Sequence, residues 1–151
     1  MTAYLLPVCF LIILLLDLAA DAFVLVHLWR AHRFNRHVEA VMRGSHEQPR
    51  KIRPLLTKPQ FRRLAICAGI LTVVMIGLVV LTFYLLQSPE LFEGHEALIF
   101  ALVFFSDSIG LGSISLKAAA LLALFLQLKK ADRYRAEYPE LTTSAETPDQ
   151  K

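Results

Sequence analysis

Three long apolar blocks, residues 4–29, 64–86 and 97–128, dominate a chain of 151 residues. Each reaches or exceeds the ~20 residues that a helix rising ~1.5 Å per residue needs to cross ~30 Å of hydrocarbon. Closed barrels and helices are the two backbone forms that satisfy every amide in lipid, and continuous blocks of this length select the helix. Only 19% of the chain is charged and 56% is hydrophobic, against roughly a quarter charged for a soluble domain. The sequence therefore predicts an all-α integral membrane protein with three transmembrane helices, forming a single membrane domain over residues 1–151.

The first block is not a secretory leader by pattern. It has no basic amino-terminal region, carries Asp17 and Asp21, and ends in Trp29-Arg30 where a cleavage site needs small residues. It reads as a retained helix. Cys9 and Cys67 each lie within an apolar block with no CxxC partner, a pattern that suits packing better than redox or metal chemistry.

Charge sets the expected orientation. Residues 30–63 hold ten Lys or Arg residues against Glu39 and Glu47, whereas residues 88–96 hold Glu90, Glu93 and Glu96 and no Lys or Arg. Lys and Arg accumulate in short cytoplasmic segments, so 30–63 is expected inside, 88–96 outside, the amino terminus outside and the carboxyl terminus inside. Lys129, Lys130, Arg133 and Arg135 after the third block agree. This pattern suits a cytoplasmic membrane, with a bacterial inner membrane as the expected location. A basic segment held against a leaflet is expected to meet anionic lipid headgroups, and no nucleic-acid role is expected of it.

Within 30–63, Phe34, Val38, Val41 and Met42 repeat at helical spacing, which predicts either an interfacial helix over 33–43 or an extension of the first span. Pro49, Pro54 and Pro59 are expected to keep the chain irregular until residue 64. The polar tail 136–151, with Pro139 and Pro148, is expected to be largely flexible.

The three spans differ in chemistry. Residues 64–86 contain no Asp, Glu, Lys, Arg or His, and Gly69 and Gly77 suit close helix packing. The first span carries Asp17 and Asp21 four apart, hence on one face about a turn apart. Two ionised carboxylates there repel, and a proton, a cation or a basic side chain relieves the repulsion. The third span carries Asp107 and Lys117 with Ser106, Ser108, Ser113 and Ser115, and Gly110 and Gly112 suit either packing or a break in the helix. A charge near a bilayer centre costs at least ~2.5–3.5 kcal/mol, so Asp17, Asp21, Asp107 and Lys117 mark the face that matters. Counting helical rise from the outer ends pairs Asp17 with Asp107 in one layer and Asp21 with Lys117 in a deeper one.

Two functions suit this pattern. The first is a non-catalytic accessory or scaffold subunit of a larger membrane complex, with polar faces of the first and third helices meeting other membrane subunits or a second copy of the chain. The second is a proton- or cation-translocating subunit or small homo-oligomeric transporter, using Asp17, Asp21 and Asp107 as sites, Ser106, Ser108 and Ser113 as polar lining and Lys117 at the inner end. A small membrane enzyme is the third reading, and the weakest in pattern. Glu93, His95 and Glu96 do not form HExxH, and His32 and His37 are five apart. No cofactor is predicted from the chain alone, and a haem or metal completed at a subunit interface stays open.

Overall fold

The computed structural model describes residues 2–44, 54–87, 104 and 106–146, and the fold is wholly helical over these. Helix α1 runs Thr2–Met42, α2 Lys58–Leu86, α3 Leu111–Glu137 and α4 Pro139–Glu146, with a π turn, Ser106–Gly110, leading into α3. Among the described residues, three helices are long and apolar enough to cross a membrane. The segment 88–96 expected outside, the start of the third block at 97–103, and residues 45–53 of the basic segment lie outside the described residues.

Each element has a local cause. Between Trp29 and Met42 there is neither Gly nor Pro, so α1 passes through 33–43 without interruption. The segment is thus an extension of the first span instead of a separate interfacial helix. At ~1.5 Å per residue, 41 residues span about 60 Å, roughly twice the hydrocarbon thickness. Gly44 closes α1 with φ of 81°, and its amide donates to the Val41 carbonyl at 3.0 Å.

Helix α2 begins six residues before the apolar block does. Thr57 and Gln60 form half of a capping box: the Thr57 amide donates to Gln60 Oε1 at 3.0 Å. Pro59 then falls in the first turn, where no helical amide bond is lost. Its expected role as a breaker is corrected on this ground. The carboxyl-terminal tail also departs from expectation, since Pro139–Glu146 is helical. Pro139 sits at its first position, and the Thr142 hydroxyl, on a buried side chain, donates to the Pro139 carbonyl at 3.0 Å.

The chain divides into two compact units. The first comprises Met1–Ala22 and Leu64–Ala118, the second Phe23–Arg63 and Ala119–Lys151. In the first, Phe10, Leu14 and Met75 are buried together, with Ile13, Leu78 and Ile109 packed against them. In the second, Val24, Ala31, Phe34, Val38, Leu124 and Ala131 are buried. The Phe61 and Phe125 rings stand 5.9 Å apart there.

The distribution of polarity is the reverse of a soluble protein's. Leu11, Ile12, Leu15 and Leu16 on α1, and Ile66, Ile70, Val73 and Val80 on α2, are all exposed, while Asp17, Asp21 and Lys117 are buried. Water would penalise so extensive an apolar surface, and hydrocarbon does not. This is a membrane protein with three apolar helices. Cys9 and Cys67 are free thiols on that apolar exterior.

Candidate functional site

In the first unit, the buried positions of α1 alternate in steps of four and three: Phe10, Leu14, Asp17, Asp21. That is the spacing of a helix–helix seam, so the two carboxylates occupy places where packing expects an apolar side chain. On α3 the buried positions Ser113 and Lys117 are likewise four apart. Four polar side chains, two from each helix, thus converge inside the unit.

Their exposures are 0% for Asp17, 5% for Asp21, 5% for Ser113 and 2% for Lys117. The Lys117 ammonium donates to Asp17 Oδ1, and the same nitrogen lies 3.5 Å from Asp21 Oδ1. It also donates to Ser113 Oγ at 3.0 Å. Ser113 Oγ is within hydrogen-bonding distance of one oxygen on each aspartate, Asp17 Oδ2 and, at 2.6 Å, Asp21 Oδ2. Asp21 Oδ1 is buried and makes no hydrogen bond among the described residues. The first unit's α2 segment contributes no Asp, Glu, Lys, Arg or His, so among the described side chains of that unit the charge comes from α1 and α3.

Of the residues singled out from the sequence, Asp17, Asp21, Ser113 and Lys117 come together. The Asp107 and Ser106 backbone lies in the π turn, and their side chains lie outside the described part. Ser108 is exposed. The layer expected from helical rise pairs Asp21 with Lys117, and the structure adds Asp17 to the same lysine. Counting from residue 97 assumes an unbroken α-helix, and a π turn changes both rise and facing direction.

The four glycines differ. Gly110 is buried, and a Cβ there would meet Met75 Cε at 3.5 Å and Val79 Cγ2 at 3.8 Å. A Cβ on Gly69, Gly77 or Gly112 would meet no described atom within 4 Å.

A second polar set lies in the second unit and was not anticipated. Asn35 Nδ2 donates to both the Gln127 carbonyl at 2.9 Å and Gln127 Oε1 at 2.7 Å, and Asn35 is 2% exposed. Glu39 accepts from the Lys130 ammonium and, at 3.0 Å, from the Tyr134 hydroxyl. Asp132 lies 3.3 Å from the Arg135 guanidinium and 4.0 Å from Lys58. The signal was present in the spacing, because Asn35 falls between Ala31 and Val38 on the same four-and-three alternation, and Gln127 between Leu124 and Ala131. Trp29 is exposed with the Arg33 guanidinium 5.1 Å from its ring, an arrangement suited to a membrane interface.

Among the described residues, no group of three or more His, Cys, Asp or Glu is placed to hold a metal ion. Comparison with family models, with curated proteins and with solved structures finds no match. The chemistry therefore has to be read from the cluster itself: an ion-pair network of buried carboxylates and a buried ammonium within a membrane helix pair.

Proposed function

We propose that this chain is an ion-translocating membrane protein, acting as a subunit or a small homo-oligomer, with Asp17, Asp21, Ser113 and Lys117 as its proton or cation site. The observation that carries the reading is the imbalance of the buried cluster, which sets two carboxylates against one ammonium. A buried site with one uncompensated negative charge has an affinity for a positive species, and intramembrane ionisable groups are a usual sign of an ion path. In this reading Asp107 lies along the same path, and the basic segment faces the cytoplasm against anionic headgroups in a bacterial inner membrane.

The accessory-subunit reading needs the polar faces of the first and third helices to meet another protein. Asp17, Asp21, Ser113 and Lys117 instead bond to one another inside the chain, which favours ion binding over an open docking face. Partner membrane subunits or further copies would then complete the path at other surfaces.

Flux of protons and of sodium in liposomes reconstituted with the full chain tests the proposal. Wild-type protein is expected to carry a flux that Asp17→Asn and Asp21→Asn abolish while the detergent-purified particle keeps its size. Undiminished flux in both variants overturns it. Loss of the particle without a change in flux per intact particle also counts against it and favours assembly.

A further inference from the structure

Ser113 has one hydroxyl hydrogen and three polar neighbours. Lys117 donates to Ser113 Oγ at 3.0 Å and so takes one oxygen lone pair. Asp17 Oδ2 and Asp21 Oδ2 both lie within hydrogen-bonding distance of that oxygen. A hydroxyl donates one hydrogen, so it serves one of these carboxylates and not both. The other contact joins two oxygens with no hydrogen between them unless that carboxyl group is itself protonated. Its O–H then donates into the remaining lone pair of Ser113.

Charge leads to the same number by a separate route. Two carboxylates and one ammonium sum to one negative charge, and one bound proton brings the buried cluster to neutrality. The placement of that proton follows from the unbonded atom. Asp17 accepts at both oxygens, from Lys117 at Oδ1 and from Ser113 at Oδ2, as an ionised carboxylate should. Asp21 Oδ1 is buried, makes no hydrogen bond among the described residues and stands 3.5 Å from the Lys117 ammonium, a looser hold than that on Asp17, which suits the carbonyl oxygen of a neutral acid.

We infer that the Asp17–Asp21–Ser113–Lys117 cluster holds one proton, resident on Asp21 Oδ2, and that Ser113 relays it to Asp17. The inference rests on the ion-site reading above and names the ion as a proton. In the relay, the Asp21 O–H bond breaks as a new O–H bond forms on Ser113. The original Ser113 O–H bond breaks as one forms on Asp17. The hydroxyl is restored, Asp21 becomes the carboxylate, and net charge is unchanged. The Lys117 ammonium, already 3.5 Å from Asp21 Oδ1, then pairs with Asp21. One proton passes from Asp21 to Asp17, residues about one helical turn apart on α1, against the opposite swing of a lysine.

By sequence the first unit also holds Tyr4, Glu90, Glu93, His95, Glu96 and Asp107, of which Asp107 is the one other aspartate. Asp107 lies in the π turn, and among the described residues Cys9, Cys67 and Tyr84 are exposed. Asp107 is therefore the group to remove as a background.

Infrared spectroscopy of the full chain in lipid nanodiscs at neutral pH, with aspartate carboxyl carbons isotopically labelled to separate them from lipid esters and glutamate, reads the proton directly. In an Asp107→Asn background, one protonated aspartic carbonyl band is expected. Asp17→Asn and Asp21→Asn should each abolish it, because either leaves a single carboxylate for Lys117. Lys117→Met should double it, since both carboxyl groups then need a proton. Absence of the band in the background protein overturns the inference, and that protein needs no change at the cluster. Persistence of the band in both single Asn variants also overturns it. A band present without any flux leaves the one-proton cluster standing and removes the translocation reading. Sodium flux without a band does the reverse.

Discussion

Lys117 and Asp17 stand 100 residues apart in sequence and are bonded in the interior, with side-chain exposures of 2% and 0%. The two carboxylates sharing this lysine make its loss unlike the loss of either aspartate. Lys117→Met leaves the buried aspartates without their one ammonium, and removing one partner from a buried ion pair costs about 3–5 kcal/mol. Asp17→Asn leaves Asp21 to pair with the lysine and should cost distinctly less. Unfolding in mixed micelles checks the order, and an aspartate variant less stable than Lys117→Met would refute it.

Asn35 is expected to matter more than its partner. Asn35→Ala strands Gln127 Oε1 and removes a donor from the Gln127 carbonyl, for a loss of about 1–3 kcal/mol. Gln127→Ala keeps the bond to its own backbone carbonyl, so a smaller loss is expected. A double-mutant cycle on thermal unfolding in detergent should give a coupling of roughly 0.5–1.5 kcal/mol.

The Glu39–Lys130 pair has the same chemistry as the buried cluster in a wetter place. Its side chains are 30% and 46% exposed. Exposed pairs contribute about 0.2–1 kcal/mol, so Glu39→Gln should lower stability by no more than that. Raising salt should erase the difference from wild type, because ions screen exposed charges far better than buried ones. Titrating the unfolding midpoint of both proteins with salt provides the comparison.

At Gly110 the neighbours leave room for one carbon. An alanine Cβ would make ordinary contacts with Met75 and Val79, at 3.5 and 3.8 Å. Gly110→Ala should therefore be neutral or stabilising by up to ~1 kcal/mol. Gly110→Leu forces Met75 aside and should cost about 1–3 kcal/mol. Differential scanning of the purified variants distinguishes the two.

The helical class and the apolar spans were legible because lipid demands long unbroken apolar runs, and such runs are visible in any sequence. Asp17, Asp21, Ser113 and Lys117 were legible as residues, since charge and hydroxyl in an apolar run stand out. Their partnership was not fully legible. Helical rise places residues along an axis and says little about which side they face once a π turn intervenes. The start of α2 was missed for a different reason: Pro59 was weighed as a breaker without weighing Thr57 and Gln60, which make its position a helix start. The Asn35–Gln127 pair carries no charge to mark it, although both residues sit on the four-and-three alternation that the buried residues follow.

The π turn at Ser106–Gly110 acts as a one-residue insertion in the reading of the third span. Each residue turns a helix by about 100°, so everything after Gly110 points about that much away from where an unbroken α-helix would aim it. Ser113 and Lys117 owe their direction to this extra residue as much as to their own identity. Deleting one position from the turn would keep every polar residue of the site and rotate two of the four away from the other pair. The composition of the site would survive intact while the site itself was lost, so in this chain spacing is as much a functional determinant as side-chain chemistry.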